Sequence, residues 1–360
     1  MASHTVALVP GDGIGPETSA AMQRVVEASG ADIVWDVAEA GAHLVEEHGT
    51  PLPASTIEAV KRNKVAIKGP VATPVGTGFR SVNVALRREL GLYACLRPVL
   101  SIPGAGGRYD GVDIVIVREN SEDLYAGIEF EEGSEGARKL IALCEEEGAG
   151  AIRPDSGISV KPISKAASER IVRFAFDYAR RHGRRKVTAV HKANIMKHTD
   201  GLFLRAAREV AAERAEDAAF EERIVDAFCM NMVMDPAQFD VVVFPNLYGD
   251  IASDLAAGLV GASASRRART SATSTLCSKR CTARRRHRGA RQGQPHRPDT
   301  VGGHDARPSG EAEAAERIRR AVRAVYAEGA HLTADIRKAT GSSKPAASCT
   351  EFTDALIAAF

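Results

Sequence analysis

The chain has 360 residues, 44% hydrophobic and 26% charged, which is ordinary for a globular enzyme and enough for two domains. Six cysteines are too few and too scattered for a disulfide framework, no stretch reaches the length of a membrane span, and MASHTVALVPGDGIGPE reads as a strand start, not a signal peptide; a cytoplasmic location is expected. Twelve Lys and Arg against two Asp and Glu lie between Ala262 and Ser309, so the formal charge of +2 hides −8 elsewhere and no general basic surface for nucleic acid.

TVALVPGDG reads as a buried strand ending in a turn, and PETSAAMQRVVEASG as a helix with Pro16 near its start and Gly30 just beyond its end. Between them GDGIG (Gly11 to Gly15) invites comparison with a dinucleotide fingerprint. It lacks the full G-x-G-x-x-G spacing, and a tight strand-to-helix turn explains it at least as well. IVWDVAEAG, KVAIKGPV, VDIVIVREN, KVTAVHKAN and FDVVVFPNLYGD repeat an apolar strand followed by a polar or glycine-bearing loop. Strands alternating with helices predict an α/β fold with a mainly parallel sheet, whose ligands gather at the carboxyl ends of the strands. After Glu311, EAEAAERIRRAVRAVYAEG predicts an amphipathic helix ending near Gly329, and CTEFTDALIAAF a last helical segment.

Chemistry-bearing residues collect at those strand ends. TGFRSVNVALRRELGLYACLRPV holds Arg80, Arg87, Arg88 and Arg97, with Ser81 and Asn83 between them; converging guanidiniums suit a polycarboxylate, although a solvated helix face explains them as well. RENSEDLYAG adds Arg118 and Tyr125, a phenol able to donate a proton, and HKANIMKHTDG adds Lys192 and Asn194. NLYGDIASDLAAG carries Asp250 and Asp254 four apart on one helix face, either capping residues or, with Asp226, oxygen ligands for Mg2+ or Mn2+.

Together PGDGIGPE, GFRSVNVALRRELGLYACLRPV, RENSEDLYAGIE, HKANIMKHTDGLF and NLYGDIASDLAAGLVG resemble the metal-dependent β-decarboxylating dehydrogenases, the isocitrate and isopropylmalate dehydrogenase family, in order over residues 4 to 261. The resemblance implies that Arg87, Arg97 and Arg118 grip substrate carboxylates and that Ser81 and Asn83 meet the carboxylate particular to isocitrate. It makes Tyr125 and Lys192 the acid–base pair and Asp226, Asp250 and Asp254 the metal ligands. Lys192 and Asp226 would come from the partner subunit, which implies a homodimer with shared sites. Lys68, Thr73 and Asn194 are the candidate contacts to the cofactor, NAD. The implied fold has two domains and is not a Rossmann fold: a large domain (1–92 and 262–360) with a mainly parallel sheet, and a small dimerisation and substrate domain (93–261) with a clasp-like segment near 126–160. Polar residues at Ser81 and Asn83 favour isocitrate. The alternatives are isopropylmalate, homoisocitrate or tartrate as substrate, or a non-catalytic or regulatory subunit.

After Gly261 the family pattern stops: a glycine-rich turn, a strand, an H-G-x-A-P-D-I cofactor loop and an apolar helix are all missing. The window 262–309 has one leucine, Leu276, and one valine, Val301, too little to bury in a core, and the chain as written is expected to fold poorly there. Cys277 and Cys281 with His287 and His296 lack a recognised zinc spacing, and a nucleic-acid arm would replace the middle of an enzyme core. A compensated frameshift accounts for the details. With GC-rich codons, ASASRRARTSATSTLCSKRCTARR regroups by one base to LGVAPGANIGDVDAVFEAVHGTA, and RHRGARQGQPHRPDT, regrouped the other way, to DIAGQGKANPTALIL. The recovered loop has an acid after its proline, which suits a free ribose and points to NAD over NADP.

Overall fold

Runs of β-branched residues build the main sheet of each of two units. A computed structural model describes residues 4–71, 82–261, 274–277 and 310–360. The first unit is formed by Met1–Ala85 with Ala264–Phe360, the second by Leu86–Ser263.

In the first unit the chain runs β1 (His4–Val9), α1 (Gly15–Ala28), β2 (Ile33–Val37), α2 (Val45–His48), α3 (Ala54–Asn63) and β3 (Val65–Lys68). β1 pairs in parallel with both β2 and β3, matching Val6 with Trp35 and Ala7 with Ala66. The GDGIG segment is the tight turn between β1 and α1. Gly11 has φ 81°, and a Cβ there would stand 1.9 Å from the Pro70 carbonyl oxygen, so only glycine fits. Pro16 lies in the first turn of α1, where its missing N–H costs nothing.

α4 (Val82–Glu89) leads into the second unit, whose elements are β4 (Ala94–Leu100), β5 (Asp113–Glu119), β6 (Glu129–Phe130), α5 (Glu135–Glu146), β7 (Ile158–Ser159), α6 (Lys165–Arg181), β8 (Lys186–His191), α7 (Asp200–Glu213), β9 (Ala219–Ile224), α8 (Val225–Met234), β10 (Val241–Phe244) and α9 (Asn246–Leu259). The strand order is β4-β5-β10-β8-β9. Only the β4–β5 pair is antiparallel; β10 runs parallel to β5 and β8, and β9 parallel to β8. Parallel pairing therefore organises the main sheet of both units. The central strands are buried on both faces, which is why VVVF and IVIV are continuous apolar runs. Val115, Val117, Val187, Ala189, Val241 and Val243 face α6 and α7, while Ile114, Ile116, Val242 and Phe244 face α8 and α9. β6 and β7 form a separate antiparallel ribbon, with α5 between them in sequence.

The chain returns to the first unit with β11 (Ser274–Cys277), α10 (Gly310–Glu328), α11 (Ala334–Thr340) and α12 (Cys349–Ala358). Val25 of α1, Ala321 and Val325 of α10 and Leu356 of α12 form its helical core. Ser348 and Glu351 cap α12 reciprocally. β11 pairs antiparallel with β3 at the edge of the sheet, where a strand needs only main-chain donors and acceptors. Cys281, His287 and His296, the rest of the possible zinc set, lie outside the described residues. Among the described residues no helix is long and apolar enough to cross a membrane.

Candidate active site

In the second unit the carboxyl ends of β5 and β10 bring a cation cluster and two carboxylates together. β10 ends at Phe244, and α9 starts after Pro245 with its first turn beside Arg118 of β5. A Cβ on Gly249 would stand 2.6 Å from Arg118 Cγ, so glycine at this point of α9 gives the arginine stem its room. Arg118 is 1% exposed, and a buried guanidinium is stable only if its donors are used. Nε and Nη2 both donate to Asn246 Oδ1, at 2.9 and 2.6 Å, and Nη1 donates to Asp250. Asn246 is itself oriented by donating to the Glu122 carbonyl at 3.0 Å.

Arg97, on β4, reaches the same helix. It donates to Ser253 Oγ at 2.7 Å and lies 3.6 Å from Asp250 and 3.7 Å from Asp254. Burial pushes the Arg87 guanidinium below its usual range, with Arg118 and Arg97 adding to the push and Asp250 opposing it, which puts Arg87 in the same electrostatic cluster. Tyr125 donates to Asp250 Oδ2 at 2.5 Å, and the Arg118 guanidinium lies 4.7 Å from the centre of its ring. Burial, then the Asp250 carboxylate, raise the phenol above its ordinary value. Tyr125 thus keeps its proton at neutral pH and has it to give.

Lys192 and Asp226 stand apart from this cluster. Lys192 follows β8 and pairs with Asp226 in the first turn of α8, and that salt bridge holds Asp226 below the usual carboxylate range. Within one chain the expected acid–base pair is therefore not formed: Tyr125 faces Asp250 and Lys192 faces Asp226. The three expected metal ligands are likewise divided, and among the described residues no three carboxylate, His or Cys groups converge. Asp250 and Asp254, one helical turn apart, are hard oxygen donors of the kind Mg2+ and Mn2+ take.

Asn83 sits one turn before Arg87 on α4. Lys68, at the end of β3, is 4% exposed and donates to the Gly69 carbonyl at 2.6 Å. Asn194 is exposed on the turn after β8, in the other unit. Ser81 and Thr73 lie outside the described residues. The structure adds Asn246, Gly249 and Ser253, which hold or make room for the two arginines. All three were visible in NLYGDIASDLAAG, where only the acids drew attention. Lys161 left no such signal, because the two carboxylates it pairs with, Asp123 and Asp200, lie tens of residues away.

The family model for isocitrate/isopropylmalate dehydrogenases matches residues 5–265. A probable mitochondrial NAD isocitrate dehydrogenase subunit alpha of Caenorhabditis elegans is 48% identical over 256 residues, 71% of this chain and 66% of that one. A chloroplastic 3-isopropylmalate dehydrogenase of Solanum tuberosum is 44% identical over 254 residues, 71% of this chain and 65% of that one. The chain thus aligns with just under two thirds of the length of these relatives. The crystal structure of an isocitrate dehydrogenase from Methylococcus capsulatus superposes with a TM-score of 0.76 at 37% identity, covering 99% of each chain. Ordered motifs, the sheet topology and these matches agree: the chain belongs to the isocitrate/isopropylmalate dehydrogenase family.

Proposed function

We propose that the chain oxidatively decarboxylates isocitrate to 2-oxoglutarate and CO2, reducing NAD with the help of Mg2+ or Mn2+. The observation that carries this reading is the convergence of Arg97, Arg118 and Tyr125 on Asp250. The arginines hold the acid groups of the substrate. Asp250 and Asp254, with Asp226 of a second copy, would hold the cation. When bound, the cation stabilises negative charge on the C2 oxygen and NAD accepts the C2 hydride. Loss of that hydride and of the hydroxyl proton leaves a β-keto acid; cleavage of its carbon–carboxylate bond releases CO2 and an enolate, and Tyr125 delivers the proton that quenches it.

The shared site calls for a second copy of the chain. Lys192 and Asp226 are 27% and 67% exposed, paired with each other outside the Tyr125 cluster. Nearby on the same elements, α8 shows Met230 and Met234, 55% and 69% exposed, and α9 shows Ile251 at 56%, an apolar surface suited to a partner. The ribbon of β6 and β7 is read as the intersubunit clasp, and the small number of unpaired cysteines suits a reducing, cytoplasmic setting. Asn83 on the Arg87 helix favours the third carboxylate of isocitrate over the isopropyl group of the alternative substrate.

The window 262–309 is read as a one-base displacement of the cofactor loop, a reading supported by the family match stopping at residue 265. Resequencing the gene across the window tests it directly. The functional test is an initial-rate assay with Mg2+, isocitrate against 3-isopropylmalate and NAD against NADP, on the chain as written and on a chain with the recovered frame. Isocitrate with NAD is expected to be the preferred pair. Turnover of isopropylmalate alone overturns the substrate, and no turnover by the restored chain favours a regulatory subunit.

A further inference from the structure

We propose that Lys161 is a positioning residue: its ammonium joins the backbone mounts of Tyr125, Asp250 and Lys192 through the buried carboxylates of Asp123 and Asp200. The kinetic part of this inference rests on the functional reading above; the structural part does not. Lys161 follows β7 and is 13% exposed, with Nζ 3.1 Å from Asp123 Oδ1 and 3.0 Å from Asp200 Oδ1. Both aspartates are completely buried. Two carboxylates at that depth repel each other and lose their hydration, so they keep this geometry only with a cation between them.

Each aspartate uses its other oxygen on a different element. Asp123 Oδ2 accepts the Leu247 N–H at 2.8 Å, three residues before Asp250 in the first turn of α9. Asp123 also stands two residues before Tyr125, at φ 69°, a conformation that a non-glycine residue holds only when its surroundings fix it. Its own N–H donates to the Pro162 carbonyl at 3.0 Å, beside Lys161. Asp200 Oδ2 accepts the Lys192 N–H at 2.7 Å. The Lys161 ammonium also lies 4.8 Å from the centre of the Tyr248 ring, on the same turn of α9. One cation therefore ties together the loop carrying Tyr125, the helix start carrying Asp250 and the turn carrying Lys192, while touching none of those three side chains.

The test uses the full-length protein with Lys161→Met and with the double variant Lys161→Met/Asp123→Asn, which keeps the formal charge of the cluster and so protects folding. Amide hydrogen exchange at Leu247 and Lys192 is measured beside kcat and KM for isocitrate, normalised to folded protein. Exchange at both amides is expected to quicken by about tenfold or more in Lys161→Met. In both variants kcat is expected to fall about tenfold or more, with KM changing less than about threefold. Unchanged exchange at those amides, or wild-type kcat in the charge-balanced double variant, overturns the proposal; a merely structural lysine predicts the second result. If the parent turns over no isocitrate, the functional reading fails separately and the exchange result alone decides the role of Lys161.

Discussion

Replacing Tyr125 with Phe removes one hydroxyl and leaves the ring where it is. The Arg118 guanidinium keeps its place 4.7 Å from the ring centre, and Asp250 keeps the Arg118 donor. What is lost is a 2.5 Å hydrogen bond to a carboxylate. Such a bond contributes about 1.5–3 kcal/mol when buried. Tyr125 and Asp250 are each 37% exposed, and solvent screening brings the stability loss to about 1 kcal/mol or less. The effect on the reaction is much larger if the phenol delivers the proton, since a positioned general acid is worth about 100-fold or more in rate. That is about 2.7 kcal/mol in the barrier. On the proposed reading the arginines, not Tyr125, hold isocitrate, so KM is expected to change by less than about threefold. Steady-state NADH formation at saturating Mg2+ yields both constants, and urea denaturation the stability. A variant with the parent's kcat, or one whose loss lies wholly in KM, refutes the assignment of Tyr125 as proton donor.

Gly249→Ala adds a Cβ 2.6 Å from Arg118 Cγ and is expected to destabilise by about 1–3 kcal/mol by urea denaturation. Gly258→Ala on the same helix, with nothing within 4 Å of the added Cβ, is expected to gain up to about 1 kcal/mol; equal effects at the two positions would falsify the packing argument. His191 is 6% exposed, accepts the Ala193 N–H on Nδ1 at 3.0 Å, and is held by burial below its ordinary value near 6.5. The unfolded chain binds this proton more readily, so the contribution of His191 is fully present above about pH 6.5 and is lost as pH falls through the lowered folded value. Melting temperatures of the parent and His191→Gln between about pH 5 and 7.5 check this, and parallel curves count against it. Restoring the frame across 262–309 is expected to raise the melting temperature by several degrees, because several kcal/mol of core would be regained and each shifts a chain of 360 residues by a little over about 1 °C. An unchanged melt in scanning calorimetry would show that the window contributes no core.

The strands were legible because their surroundings are uniform. IVIV of β5 and VVVF of β10 are buried on both faces, and an apolar run of that length has few other structures open to it. GDGIG was legible as a turn, and the 1.9 Å approach to the Pro70 carbonyl shows why glycine is needed there. The acids and arginines were legible by type and order. The resemblance already set Lys192 and Asp226 apart from Tyr125 and Asp250; what it did not give is that Lys192 pairs with Asp226 and Tyr125 with Asp250, a choice made by which strand end each loop leaves. The window 262–309 offered no apolar pattern, and yet Ser274–Cys277 pairs with β3, because main-chain hydrogen bonding along a sheet edge leaves no trace in side-chain periodicity.

By itself the sequence determined the α/β class, the tight turn at Gly11 and the kinds of group available for chemistry, because strand burial, backbone conformation and side-chain charge are local properties. The tertiary structure decided which of those groups meet. Arg118 is held by Asn246 and Asp250, more than a hundred residues away, and Lys161 by Asp123 and Asp200 on either side of it. A buried charge must be neutralised within a few ångströms, and only the folded chain sets which residues lie that close.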